Sequence, residues 1–498
     1  MIAAMFLRAG AFSLALLLAS RLLGVLRESA QAAAFGRTGV ADLAVLLLSL
    51  PDWLASVVAT GALAYVLLPA WAGQSRETVD GLQRRVALWG GAVALLLALA
   101  LVLLRVPALQ LLAAGLPRNL RPMAVQGLVW SALAFPLAVL AALWGTRLQH
   151  EREFTGMYAA NLVVNGVLIA TIAWAGTKAG RGATVTVLGG GLLLAMLARL
   201  AWLGWRLRTG RTDVAEGSAA LPVTPTLPSP PVWLWAMLCA GLPMALPFAA
   251  RSVASHGGEG ALAVFNYGWK LVDLPLVLAI QLVASLAFPS IARALVAGTP
   301  PREARAPIRQ AFALAWTLAC AAVAALAFAA PALARLLFGW GRMPADALRQ
   351  VAAWGLAGSW SLLPQAVTAV ALAVLATRRR MGAPVLAYAL ALFAVVGAGM
   401  QGERDGLALM HLLNAAFTLV AAVCLLALGR ERAEWLPWEA FGWSAAGLLA
   451  ALAAASVWRG STVAGGIVPG LGAGALAAIV VLALALWRSS DVRQALRR

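Results

Sequence analysis

The chain has 498 residues, of which 62% are hydrophobic and only 11% charged, and its mean hydropathy is +0.87. That balance excludes an ordinary soluble globule and identifies a polytopic membrane protein. The formal charge of +19 could suit nucleic acid, but the basic residues follow the loops between apolar runs, so no nucleic-acid module is needed.

In chain order the apolar runs predict fourteen helices, at roughly 8–36, 40–72, 86–106, 122–147, 154–176, 183–206, 232–254, 260–293, 308–332, 346–377, 382–402, 406–429, 438–458 and 462–487. About 20 residues at ~1.5 Å rise cross the hydrocarbon of a bilayer. The runs are continuous Leu, Ala and Val, whereas a membrane β-barrel requires alternating segments of ~10 residues. The opening of the chain, with Arg8 ahead of an apolar run to Ser20, has the outline of a signal peptide. Arg21 and Arg27 follow at once and the apolar pattern resumes through Phe35, which suits an uncleaved first helix better.

Three ionisable clusters interrupt these runs: Arg21, Arg27 and Glu28; Asp42 and Asp52; Lys270 and Asp273. Charge near the middle of a bilayer costs roughly 2.5–3.5 kcal/mol per residue on insertion scales, so such residues face a wet cavity, a partner or a substrate. Arg21 and Arg27 are separated by about 9 Å along a helix and about 120° around it. Glu28 returns to nearly the face of Arg21, and one local picture makes Arg27 the freer cation with Glu28 a partial counter-ion. Lys270 and Asp273 form an i, i+3 pair able to interact along one face, or simply a structural ion pair. Asn161 and Asn165, Asn414 and Thr418, and Asn266, Tyr267 and Gln281 around Lys270 are polar enough to line a cavity, although helix-packing hydrogen bonds explain most such residues. A cationic cavity implies an anionic cargo. Arginine suits phosphate because its planar fork donates paired hydrogen bonds, while Lys270 acts more as a point charge.

Set against itself at an offset of 224, the chain brings Pro51 onto Pro275 and Pro107-Ala-Leu onto Pro331-Ala-Leu; with short slips Pro136 meets Pro364 and Tyr158 meets Tyr388. These anchors imply an internal duplication. The expected architecture is all-α: an N-terminal six-helix lobe (1–208), a Pro- and Ser-containing cytoplasmic linker (209–231), a C-terminal six-helix lobe (232–430), and two extra helices with a basic tail (431–498). Halves with an even number of helices enter from the same face, as in transporters with a binding cavity between repeats. Prolines within the spans, among them Pro51, Pro69, Pro136, Pro243, Pro247, Pro275, Pro289 and Pro364, free carbonyls that neighbours must re-satisfy. The side bearing Arg8, Arg84 and Arg85, Arg378 to Arg380 and the tail from Arg488 holds the larger share of loop Lys and Arg, which places both termini in the cytoplasm.

Enzymatic chemistry finds little support. His150, His256 and His411 are scattered, Cys239, Cys320 and Cys424 have neither metal-ligand nor disulfide spacing, and no Gly-x-x-x-x-Gly-Lys-Ser/Thr run is present. The expectation is therefore no metal, no cofactor and no enzyme, with energy drawn from the membrane potential, an ion gradient or an external partner.

The segments Ser20-Arg21-Leu22-Leu23-Gly24-Val25-Leu26-Arg27-Glu28, Ala34-Phe35-Gly36, Asp42, Leu50-Pro51-Asp52, Gly61-Ala62-Leu63 and Leu68-Pro69 resemble the opening of the MurJ (MviN) family of lipid II flippases in the MOP exporter superfamily. Lys270-Leu271-Val272-Asp273-Leu274-Pro275 resembles the family's eighth-helix motif, whose first residue is usually arginine. The resemblance implies a bacterial inner-membrane flippase that moves an undecaprenyl-diphosphate-linked peptidoglycan precursor to the periplasmic leaflet by alternating access. It further implies that Arg21, Arg27 and Lys270 hold the diphosphate, that Asp42 is a cavity-gate carboxylate, and that helices thirteen and fourteen form a groove for the lipid tail. Glu28, Asp52, Asp273, Asn266 and Tyr267 are further candidates for the cavity or its gates. Membrane lipids and the cell-wall synthesis machinery are the expected partners. The chain departs from the pattern at Ala55 and Ser56, where the family carries basic residues, and at Thr60, where an acidic one is common. Three other readings stay open: a flippase for another undecaprenyl-linked glycan such as an exopolysaccharide or O-antigen unit, a multidrug cation exporter of the same superfamily, and a membrane scaffold without transport.

Overall fold

A computed structural model of the chain describes residues 2–58, 63–71, 74–151, 153–177, 181–209, 229–295, 301–458 and 466–496. Among them there are helices and no strands: α1 (Ile2–Phe35), α2 (Gly39–Ser56), α3 (Ala64–Trp71), α4 (Arg76–Leu103), α5 (Arg105–Ala113), α6 (Arg121–His150), α7 (Phe154–Thr177), α8 (Arg181–Thr209), α9 (Pro230–Ala254), α10 (Ala261–Pro275), α11 (Gln281–Ala294), α12 (Pro301–Phe338), α13 (Ala345–Ser359), α14 (Leu362–Thr377), α15 (Gly382–Met400), α16 (Gly406–Ala427), α17 (Arg432–Trp435), α18 (Trp438–Trp458), α19 (Ile467–Arg488) and α20 (Ser490–Leu496). Of the described helices, 12 are long and apolar enough to cross a membrane, or 13 when the bent pair α13–α14 counts as one span. The one further expected span is present as the 34-residue α1, which carries Arg21, Arg27 and Glu28.

The prolines act as the sequence anticipates. Pro51 deprives the Leu47 carbonyl of its helical donor, and the buried Ser131 hydroxyl of α6 donates to that oxygen at 2.9 Å. The expected helix over 40–72 is described as α2, π-helical geometry at 57, 58 and 63, and α3; residues 59–62 lie outside the described residues. Its counterpart in the repeat behaves alike: α10 ends at Pro275, a π-helical turn follows at Leu276–Ile280, and α11 continues. Pro364 cannot bond the Trp360 carbonyl, and α13 and α14 meet there at 45°.

Two boundaries differ from expectation for local reasons. The helix expected to begin at 86 begins at Arg76, because Ser75 caps it by accepting from the Thr78 amide at 3.4 Å and Glu77 lies in its first turn. The helix expected over 308–332 runs from Pro301 to Phe338, with Pro301 at its start, where a missing N–H costs nothing. Residues 210–228, most of the expected linker, lie outside the described residues, as do Thr60, Gly61 and Ala62.

The chain divides into two compact units, Met1–Met244 with Gly258–Gly260, and Ala245–Gly257 with Ala261–Arg498. In the first, Leu63, Leu67, Trp71, Val79, Leu82, Val86, Ala142 and Leu143 form one core cluster, and Ala141, Leu148, Ala160 and Leu203 another. The outer face of α4 is the converse, with Leu88, Trp89, Leu95, Leu96 and Leu103 exposed, as a lipid-facing helix requires. In the second unit α19 packs closely on α12. A Cβ on Gly474 would stand 2.8 Å from the Ala325 carbonyl oxygen, and one on Gly470 would stand 2.9 Å from the Ala332 Cβ. The Gly-x-x-x-Gly spacing on α19 and the alanines of α12 are what allow the backbones to approach.

Candidate functional site

In the first unit the second half of α1 faces α2 and α7, and α8 packs on both α2 and α7. The Arg27 guanidinium donates to Asp52 of α2 at 2.8 Å and to its neighbour Glu28 at 3.2 Å. Arg27 is thus the compensated cation and Asp52 its principal counter-ion, which corrects the picture of a freer Arg27. The reason is that helical spacing reports only neighbours on α1, whereas Asp52 arrives from another helix. Arg21 is exposed, and its charge is felt at Tyr158 of α7. Gly24, between the two arginines, presents a bare face toward the Asn165 amide: a Cβ there would lie 4.0 Å from Nδ2. Asn165 is buried and Asn161 half-buried on α7, one turn apart.

Asp42 sits elsewhere, in the first turn of α2 and only 1% exposed. Its carboxylate accepts the Gly260 amide at 2.8 Å, while Glu259 accepts the Gly39 amide at 2.9 Å. Thr38 caps the same turn, accepting from Ala41 at 3.4 Å. Gly260 has φ +79°, and a Cβ there would stand 2.8 Å from the Arg37 carbonyl carbon, so no larger residue fits without strain. Asp42 therefore anchors a backbone turn and is not part of the Arg27 cluster.

In the second unit Lys270 and Asp273 make the expected i, i+3 pair, Nζ to Oδ2 3.2 Å, with about a third or less of each side chain exposed. Asn266 accepts from Arg251 of α9 at 2.8 Å, and the Arg251 guanidinium lies 4.6 Å from the Phe248 ring. Tyr267 is fully buried with its ring 4.9 Å from that of Phe338, which makes it a core residue rather than a cavity wall. Asn414 donates to the Ala357 carbonyl of α13 at 2.8 Å, a helix-packing hydrogen bond, while Thr418 donates to the Asn414 carbonyl one turn back on its own helix at 2.7 Å.

Three further arginines lie outside the candidate site residues of the sequence, Arg147 having counted there only as a loop charge. Arg147 of α6, 6% exposed, pairs with Asp80 at 2.9 Å and Glu151 at 2.7 Å and lies over Trp71, a structural clamp between α4 and α6. Arg251 falls within the expected span 232–254, three residues from its end. Arg199 lies within α8, seven residues before Arg206, and its Nε is buried with no hydrogen-bond partner. Its signal in the sequence is a single charge inside the run Leu-Leu-Leu-Ala-Met-Leu-Ala-Arg-Leu-Ala-Trp-Leu. Among the described residues no three His, Cys, Asp or Glu side chains converge as metal ligands would.

The family model described as lipid II flippase MurJ matches residues 31–465. A probable lipid II flippase MurJ from Rhizobium meliloti (strain 1021) is 28% identical over 334 residues, covering 64% of this chain but only 61% of that protein's length. Among solved structures, lipid II flippase MurJ in an inward closed conformation superposes with a TM-score of 0.78 at 13% identity, over 96% of this chain and 99% of that one. An inward-facing multidrug resistance MATE family transporter of the MOP superfamily superposes at 0.57 with 17% identity, over 83% and 94%. At these identities the structural likenesses establish the fold alone. The family model spans most of the chain, and the chain belongs to the MurJ lipid II flippase family.

Proposed function

We propose that this protein is a flippase that moves an undecaprenyl-diphosphate-linked peptidoglycan precursor, lipid II, from the cytoplasmic to the periplasmic leaflet of a bacterial inner membrane. The family match over residues 31–465 carries the reading. The charge pattern supports it: exposed Arg21 and paired Arg27 within α1, and Lys270 within α10, are cations in apolar segments, as recognition of a diphosphate requires. Arg21 and Lys270 engage the phosphates, Arg27 is held in place by Asp52 and Glu28, and Asp42 governs the start of α2. The two six-helix lobes, 8–206 and 232–429, alternate access, with both termini cytoplasmic and the span α10–α11 giving way after Pro275. The protein acts as a transporter rather than a catalyst, without a cofactor, drawing on the membrane potential or an ion gradient and working beside the cell-wall synthesis machinery.

A second reading, a flippase for another undecaprenyl-linked glycan, is favoured by one observation. Ala55 is buried and the Ser56 hydroxyl is spent on the Asp52 carbonyl at 2.8 Å, so α2 offers no cation there. The test is depletion of the protein in its host, with mass spectrometry of undecaprenyl-linked precursors sorted by leaflet. Inward accumulation of lipid II is expected. Accumulation of a different lipid-linked glycan with peptidoglycan synthesis normal would replace the first reading with the second, and normal leaflet distribution of both would overturn the flippase assignment.

A further inference from the structure

We propose that Arg199 supplies from α8 the cation that α2 lacks, and that it binds the anionic diphosphate of the transported lipid together with Arg21. The inference rests on the flippase reading and deepens it by adding a residue to the anion site of the first unit.

The position of Arg199 on α8 is the first support. Leu192, Ala195, Met196 and Leu203 are each at most 1% exposed, and they stand seven, four and three residues before Arg199 and four after it. Those are the spacings of one helical face, so Arg199 lies on the stripe of α8 that is buried in the unit, not on a lipid-facing one. Its Nε is enclosed by protein. The residue as a whole is half-buried, so the guanidinium stands at the edge of the packed stripe with its Nε inside.

The second support is the distribution of counter-charge. On the same helix Arg206, two turns on, is paired with Glu153, so that carboxylate is committed there. Asp52 is the carboxylate whose field reaches Arg199, but its Oδ2 already accepts Arg27 at 2.8 Å. Glu28 likewise contacts Arg27. Both carboxylates beside Arg27 are therefore engaged by it, and among the described residues no ion pair reaches Arg199. A structural ion pair would be neutral and closed; this cluster keeps an excess positive charge within an apolar segment, which a wet cavity can hydrate and an anionic ligand can neutralise. A diphosphate has the charge and the oxygens to bridge two guanidinium forks. Because α2 packs against α8, a cation on α8 can serve the region where Ala55 and Ser56 leave α2 without one.

The test uses the full-length protein in lipid nanodiscs and two probes, undecaprenyl diphosphate and undecaprenol, with affinities read by native mass spectrometry. Arg199→Gln is expected to weaken diphosphate binding about 10-fold, as for loss of one charge-assisted contact, and to leave undecaprenol unchanged; Arg199→Lys should retain most of it. Undiminished binding by Arg199→Gln, with Arg21→Gln impaired, overturns this inference alone. Wild-type protein with no preference for the diphosphate overturns both the inference and the flippase reading. Arginine-specific labelling of wild-type protein with phenylglyoxal removes any dependence on variant folding. Arg199 should be modified in empty nanodiscs and protected by the diphosphate but not by undecaprenol; equal labelling with both lipids, or no labelling in either state, refutes the assignment.

Discussion

Arg21 and Arg27 are six residues apart on one helix, yet their alanine variants should fail differently. The Arg27 side chain is 12% exposed and that of Asp52 is 35%, at 2.8 Å. Unit charges about 4 Å apart at an effective dielectric constant of about 20 attract by roughly 4 kcal/mol. Solvent access on the Asp52 side screens the pair, and a coupling of ~1–2 kcal/mol remains. Arg27→Ala and Asp52→Ala should therefore each destabilise the folded protein by about 2 kcal/mol, the double variant by less than the sum, and Arg21→Ala by no more than ~0.5 kcal/mol. The assay is reversible unfolding in mixed micelles followed by tryptophan fluorescence, arranged as a double-mutant cycle. A coupling below ~0.3 kcal/mol, or equal destabilisation by Arg21→Ala and Arg27→Ala, would refute the claim that Arg27 is the compensated cation.

Other substitutions probe separate links between sequence and fold. In a host depleted of the wild-type gene product, Arg21→Ala should abolish complementation while the protein remains folded and abundant, and Lys270→Arg should complement fully; both are read by growth alongside membrane immunoblots. Ser131→Ala strips the donor from the Leu47 carbonyl freed by Pro51 and should cost ~1–2 kcal/mol in the same unfolding assay. Gly474→Val drives side-chain atoms into α12, where even a Cβ would lie 2.7 Å from the Ala329 Cβ, and should destabilise the packing of α19 by ~1–3 kcal/mol, detected as earlier proteolysis of the C-terminal helices. Gly260→Ala must place a side chain at φ +79° against Arg37 and should lower the unfolding midpoint, whereas Gly382→Ala, with open space around it, should not.

The all-α membrane fold was legible because hydropathy and length constrain spans more tightly than any other class of structure. The duplicated prolines were legible as sites that free carbonyls, although the end of α10 at Pro275 within the expected span 260–293 was not. What proline alone could not disclose is which neighbour repairs the gap; Ser131, 84 residues from Leu47, is identified only by the packing of α6 on α2. The early start of α4 at Arg76 was missed because charge was read as the end of a helix, although a capped amphipathic turn tolerates Arg84 and Arg85 beyond the apolar stretch.

Charge sites divide in the same way. The Lys270–Asp273 pair was legible since both partners lie on one helix at a spacing that brings side chains together. Arg27–Asp52 was not, for its partners are 25 residues apart on different helices, and local spacing offered Glu28 instead. Once Asp52 is committed to Arg27, the significance of the remaining cations changes: Arg21 and Arg199 become the groups whose charge is available to a ligand, although by sequence alone Arg27 looked the freer and Arg199 attracted no notice. Counting charges in apolar segments therefore finds the region of an anion site, but the pairing that sorts anchoring cations from binding ones is set by helix packing. A mutational survey of this protein that scored only activity would group all three arginines together, and scoring stability beside it is what separates them.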